Sequence, residues 1–152
     1  GAMKYVPELT WILFLRILDE REGHEADEAE ALGIAFTPTI KKPYRWRDWA
    51  APDCVFRQDT KASVWQFVHE DLLPHLKSLK EKRGATPRQK VISEVMAGVE
   101  RSRIDSEKNF LDVLDKVHEI SSETVDTTHV FTLSQVYEGL LLKMGEKGND
   151  GG

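Results

Sequence analysis

The chain has 152 residues and a net charge of −5, and 40% of its residues are hydrophobic. Because apolar residues recur along most of its length, this composition excludes a wholly disordered chain and is typical of one soluble domain. The longest apolar run, Trp11–Leu15, has five residues, far fewer than the roughly 20 that a membrane span needs.

Residues 1–3 (GAM) are interpreted as an expression scar. The first helix is predicted from about Pro7 to Glu22, since proline suits the first helical position. Its apolar residues cover most of its circumference, which favours a central core helix, or one that also meets another domain or subunit. An acidic helix is predicted from His24 to Leu32, ended by Gly33.

An irregular, aromatic-rich loop is predicted for residues 34–59, with a short strand as one option at residues 34–40. Four further helices follow from apolar residues at three- and four-residue spacings. Pro74 is expected to kink or split the first of them. Their predicted ranges are 64–79, 87–98, 106–120 and 133–147.

Three predicted helix starts carry the capping-box pattern, in which a hydroxyl and a glutamine pair with the first free N–H groups. The pairs are Ser63 with Gln66, Thr86 with Gln89 and Thr132 with Gln135. The predicted fold is therefore mainly α: a single domain of five to seven helices over residues 4–144. Residues 145–152 are expected to be a flexible linker that stops before another domain.

The sequence lacks a recognisable catalytic or metal motif. In HEDLLPH, residues 69–75, the histidines lie six residues apart with a proline between them, whereas zinc-protease helices need a spacing of four. The single cysteine, Cys54, excludes a thiolate zinc site and an internal disulfide, and favours a reducing cytoplasm. We therefore predict no catalytic, cofactor or metal residue.

The charge is segregated. Residues 19–30 hold seven acids and one base, whereas two short blocks hold ten of the 21 bases. Basic side chains can neutralise DNA phosphates, and the aromatics of the first block can stack on bases. The alternative is that the aromatics anchor a loop and the charges are only solvated. The candidate DNA-binding residues are Lys41, Lys42, Arg45, Arg47, Lys77, Lys80, Lys82, Arg83, Arg88 and Lys90.

Several stretches, in this order, resemble the N-terminal helical domain of the modification subunit of type I restriction-modification enzymes. They are YVPELTWILFLRILDERE, YRWRDWA, FVHEDLLPHLKSLK, NFLDVLDKVHEI and FTLSQVYEGLLLKMGEKG. The first and last are the most specific, and together the stretches extend over nearly the whole chain.

The resemblance implies a parent protein that is a bacterial adenine-N6 DNA methyltransferase using S-adenosylmethionine. It also implies assembly with a specificity subunit that reads DNA, and with restriction subunits in the full nuclease. The family's asparagine-proline-proline-phenylalanine motif is missing from this sequence, so no catalytic or cofactor residue is assigned. We expect the domain to help hold DNA and the specificity subunit against the methyltransferase domain of its own chain. The alternative is a purely protein–protein helical scaffold without DNA contact.

Overall fold

A computed structural model of the chain describes residues 6–99, 104 and 106–119. All the regular structure in these residues is helical, which confirms the mainly α prediction. The α-helices are α1 (Val6–Ala31), α2 (Trp46–Trp49), α3 (Val55–Gln58), α4 (Val64–Phe67), α5 (Leu73–Ser78), α6 (Pro87–Ala97) and α7 (Glu107–His118).

The prediction of two separate helices before Gly33 is wrong, because α1 is one continuous helix of 26 residues. The helix runs through Gly23, where a Cβ atom would lie 3.0 Å from Nη2 of Arg47. Gly33 does end it, with a φ of +69°. There the N–H of Gly33 donates to Glu30 and that of Ile34 to Ala29, the paired bonds of a Schellman motif.

The strand considered for residues 34–40 does not form, and this segment has no regular structure. It crosses α1 instead, and Glu22 holds it there by accepting the N–H of Thr39 at 2.8 Å and also its hydroxyl. The irregular loop of residues 34–59 is confirmed, although two single-turn helices, α2 and α3, interrupt it.

Pro74 does interrupt the helix predicted for residues 64–79, through a change of hydrogen-bond register. A π turn, Val68–Leu72, joins α4 to α5, and the N–H of Leu73 donates to the carbonyl of Val68. Proline lacks an N–H and its ring crowds the carbonyl four residues earlier, so the wider turn accommodates it. The helix ends in a 3₁₀ turn, Leu79–Glu81.

Two of the predicted caps can be compared with the structure. Thr86 and Gln89 form both halves of a capping box at the start of α6. At α4 Ser63 accepts the N–H of Gln66, but the side chain of Gln66 donates to Glu70 and the box is not completed. A different free N–H of the first turn, that of Val64, is accepted by Glu107 at 2.9 Å. The Thr132 cap, the helix predicted for residues 133–147 and the linker at 145–152 lie outside the described residues.

The core lies between the first half of α1, α2 and the helices that follow the irregular loop. Within it, Trp11, Trp46, Trp49, Phe14 and Phe110 are among the largest fully buried side chains. A central position for the start of α1 is thereby confirmed. Beyond Gly23 the helix exposes Asp27, Glu28 and Glu30, whereas Glu25 is half-buried. Among the described residues, no helix is both long enough and apolar enough to cross a membrane.

Candidate nucleic-acid interface

The fold places the first basic block against the helices that carry the second. The ring of Tyr44 stacks on His75 of α5 with their centroids 3.8 Å apart. Just before this block, the carbonyl of Thr39 accepts the side-chain N–H of Gln89 on α6 at 3.2 Å. Burial and, to a smaller extent, the positive charge of Lys41 lower the pKa of His75. Two blocks that are far apart in sequence are therefore neighbours in space.

Seven of the ten candidate bases form no ion pair with another described residue. All of these are exposed except Lys77, which is half-buried. Cationic side chains of this kind can meet a polyanion without first losing an ion pair within the described part of the chain. They are Lys41, Lys42, Lys77, Lys80, Lys82, Arg83 and Lys90.

The three other candidates are arginines that pair with carboxylates of the same chain. Arg45 donates two hydrogen bonds of 2.9 Å to the carboxylate of Asp48. Arg47 pairs with Asp19 at 3.1 Å and also donates to its carbonyl at 3.2 Å. A phosphate would have to compete with these carboxylates for at least part of each guanidinium.

Arg88 bridges two helices in a similar way, because its Nη1 atom lies 2.8 Å from carboxylate oxygens of both Glu22 and Glu25. The hydrogen bond from Arg88 is the main cause of the lowered pKa of Glu25, which burial partly opposes. Carboxylates of the acidic segment, residues 19–30, therefore position the basic side chains of Arg47 and Arg88.

The aromatic residues of the first block pack the loop down and do not present open faces. Trp46 has an exposed fraction of only 2%, so its ring cannot stack on a base in this conformation. Its indole N–H donates to Nδ1 of His118 at 3.0 Å. These aromatic residues were open to two interpretations, stacking on DNA bases or anchoring the loop, and the structure supports anchoring.

The contact between Trp46 and His118 also joins the loop to α7. Nδ1 accepts from the indole, so this histidine is neutral, and burial followed by the charge of Arg16 lowers its pKa. Arg16 in turn donates to the main-chain carbonyl of His118 at 3.1 Å. Trp46 and His118 lie 72 positions apart, and no pattern in the sequence around either residue predicts that they meet.

The acidic side of α1 borders a cavity. Asp19 lies at its edge, and burial raises the pKa of this carboxyl even though Arg47 acts in the opposite direction. The described residues contain no group of three or more side chains that could hold a metal ion. The histidines at positions 69 and 75 serve packing: the first bonds to the carbonyl of Trp65 and the second stacks on Tyr44.

Comparison with known proteins gives consistent matches. The family model of the HsdM N-terminal domain matches residues 1–119. The chain is 28% identical over 151 residues to the methylase subunit of the type I restriction enzyme EcoEI from Escherichia coli, covering 99% of the chain and 29% of that subunit.

A solved structure is also similar: a modification subunit described as belonging to a type I restriction enzyme of Vibrio vulnificus YJ016. It matches with a TM-score of 0.70 and 30% identity, over 100% of this chain and 32% of the other. The chain therefore spans about a third of the length of both relatives. With its helical core and a family match that extends over residues 1–119, the chain belongs to the HsdM N-terminal domain family.

Proposed function

We propose that this domain is part of a type I adenine-N6 DNA methyltransferase subunit and helps to hold DNA and the specificity subunit against the methyltransferase domain. The support for the enzyme class is the family membership together with two relatives named as methylase or modification subunits. Because the chain aligns with about a third of each relative, the proposal places S-adenosylmethionine and methyl transfer in the remainder of the parent protein. It also places this domain in a cytoplasmic complex that restriction subunits join.

The observation that carries the DNA-binding part is the meeting of two basic blocks on one part of the fold. Seven bases that form no ion pair with described residues lie on the loop before α2 and around α5 and α6. Each cation that neutralises a phosphate releases counterions, which makes such binding strong at low salt and sensitive to added salt. This arrangement suits contact with the backbone of a duplex.

The contact we propose positions DNA and does not read its sequence. Lysine side chains bind phosphates as point charges, and phosphate contacts fix the register of a protein on DNA without specifying bases. Trp46 is buried and offers no face to a base, and one face of Tyr44 is covered by His75. Sequence reading is accordingly assigned to the specificity subunit.

The three paired arginines remain candidates, because their side chains are partly exposed. The side chains of Arg45 and Arg88 are 31% and 29% exposed, and that of Arg47 is 46% exposed. Their alanine variants do not test DNA contact cleanly, because each removes an ion pair within the fold. The lysines are the better test.

The test measures duplex binding by the assembled methyltransferase over a salt series, with Lys41 and Lys42 changed to Gln in one variant and Lys80 and Lys82 in another. Each phosphate contact contributes about 0.9 to the slope of log K against log salt. We expect each double variant to lower that slope by about 1 to 2 and to weaken binding at low salt.

The matched control changes Lys108 and Lys116 to Gln, since both are exposed bases on α7, outside the two blocks. The control should bind like the wild type. If both block variants keep the wild-type affinity and slope, the DNA-binding proposal is refuted, and the purely protein–protein scaffold becomes the better account of the domain.

A further inference from the structure

Arg88 lies where the two basic blocks and the acidic segment of α1 meet. It is the second residue of α6, and the side chain of the next residue, Gln89, donates to the carbonyl of Thr39 at 3.2 Å. That bond holds the chain leading to Lys41 beside the start of α6, and the exposed Lys90 follows two positions after Arg88. A duplex held by both basic blocks therefore passes close to the guanidinium of Arg88.

Two carboxylates of α1 occupy this guanidinium. Its Nη1 atom donates to Glu22 and to Glu25, at 2.8 Å each, and its Nη2 atom donates to Glu25 at 3.2 Å. Glu25 thus accepts through both of its oxygens, and an arginine forms the same two-pronged arrangement with a phosphate. A DNA phosphate and Glu25 would compete for the same donors.

The two carboxylates differ in what else they hold. Glu22 also accepts the N–H and the hydroxyl of Thr39, so it fixes the segment that crosses α1. The carboxylate of Glu25, within the described part of the chain, accepts hydrogen bonds from Arg88 alone. Its side chain is 36% exposed, against 11% for Glu22. Glu25 can therefore leave Arg88 for water without releasing the crossing segment.

We propose that Glu25 is an internal competitor of DNA: it occupies Arg88 in the free domain, and a backbone phosphate takes its place when a duplex binds, while Glu22 stays paired. This inference rests on the proposed function, which supplies the duplex. Because phosphates carry no sequence information, the competition weakens binding to duplexes that lack the target. Glu25 thus limits how strongly the basic blocks hold DNA that the specificity subunit has not recognised.

The size of the effect follows from the contact that is lost. A partly exposed ion pair contributes little stability, and its loss corresponds to a change in affinity of about two- to fivefold. Removing the charge of Glu25 should therefore tighten DNA binding by roughly that factor. Arg88 remains paired with Glu22 in such a variant.

The test measures the affinity of the assembled methyltransferase for a labelled duplex without the target sequence, by fluorescence anisotropy. Glu25→Gln removes the charge, and glutamine and glutamate have similar helix propensities. The matched control is Glu30→Gln, which removes the same charge from an exposed residue of the same helix, about 140° around the helix from Glu25. At physiological salt, charges more than about 8 Å apart are largely screened.

We expect Glu25→Gln to bind the duplex about two- to fivefold more tightly than the wild type, and Glu30→Gln to bind like the wild type. Adding Arg88→Gln to Glu25→Gln should remove the gain, because no guanidinium is left for the phosphate, while the glutamine amide can still donate to Glu22. Circular dichroism checks that each variant is folded.

Unchanged or weaker binding by Glu25→Gln overturns the competitor, as does an equal gain in Glu30→Gln or a gain that survives Arg88→Gln. The lysine variants of the two blocks separate this failure from that of the proposed function. If those variants weaken binding and Glu25→Gln has no effect, only the competitor is refuted. If they bind like the wild type, the DNA-binding proposal fails and the competitor falls with it.

Discussion

Gly23 lies in the middle of α1, and its replacement by alanine tests whether Arg47 accounts for the missing side chain. A Cβ atom at position 23 would lie 3.0 Å from Nη2 of Arg47. Ordinary contact begins near 3.4 Å, so the guanidinium would have to move by about 0.4 Å. That movement lengthens its hydrogen bonds to Asp19, which are 3.1 and 3.2 Å long.

Two effects of similar size oppose each other in Gly23→Ala. Alanine stabilises a helix interior by roughly 0.5–1 kcal/mol relative to glycine. Loosening the pair between Arg47 and Asp19 costs a similar amount, because partly exposed ion pairs contribute about 0.2–1 kcal/mol. We therefore expect little change in the free energy of unfolding of the single variant. With Arg47→Ala already present, the same change should stabilise by the full ~0.5–1 kcal/mol.

The assay is urea unfolding followed by circular dichroism, on the wild type, both single variants and the double variant. With a slope of about 2 kcal/mol/M, the expected coupling shifts the midpoint by roughly 0.25–0.5 M. The four proteins form a double-mutant cycle, which isolates the interaction between the two positions. If Gly23→Ala stabilises equally in both backgrounds, Arg47 does not occupy the space above Gly23 and the reasoning is refuted.

Three further predictions concern other buried contacts. The pKa of His118 is lowered from 6.5, so the unfolded chain binds more protons and stability should fall as pH drops below about 6.5. His118→Asn keeps an acceptor for Trp46 and should reduce this dependence in urea titrations at pH 5.5 and 7.5, while His75, whose pKa is also lowered, retains its own share. Ser93→Ala should cost about 1–3 kcal/mol in urea unfolding, because the buried hydroxyl accepts the N–H of Lys80 at 2.9 Å; a loss below 0.5 kcal/mol would contradict this role. Glu107→Ala should lower the free energy of unfolding by about 1 kcal/mol, because it removes a cap at the start of α4. Glu107→Gln keeps a side-chain oxygen acceptor and should lower it by less. Equal losses in the two variants would show that the hydrogen bonds accepted by Glu107 are not the cause.

Local patterns predicted most of the described helices. Thr86, Pro87 and Gln89 carry the signals of a helix start, and all of them act within the first turn of α6. Gly33 ends α1 because its left-handed backbone is a local property of glycine. The sequence pattern predicts two helices on either side of Gly23, whereas the structure has one unbroken helix there, beside which Arg47 lies from another part of the chain.

The candidate interface was predictable in part. Charge counting found the ten bases, but it could not separate those paired within the fold from those left exposed. That distinction depends on which carboxylates lie opposite, as with Arg88 between Glu22 and Glu25. The cap that Glu107 gives to α4 was missed for the same reason, since the two residues it joins lie 43 positions apart.

The sequence by itself determined the helical class, most of the helix ends and the family, because apolar spacing, caps and glycine conformation act over a few neighbouring residues. Tertiary structure alone decided that two basic blocks meet, that Trp46 is an anchor, and that a cavity lies between α1 and the segment that crosses it. These features depend on distances between residues far apart in the chain, and on which charges are brought close enough to pair or to be removed from water. Only the packing of the helices sets those distances.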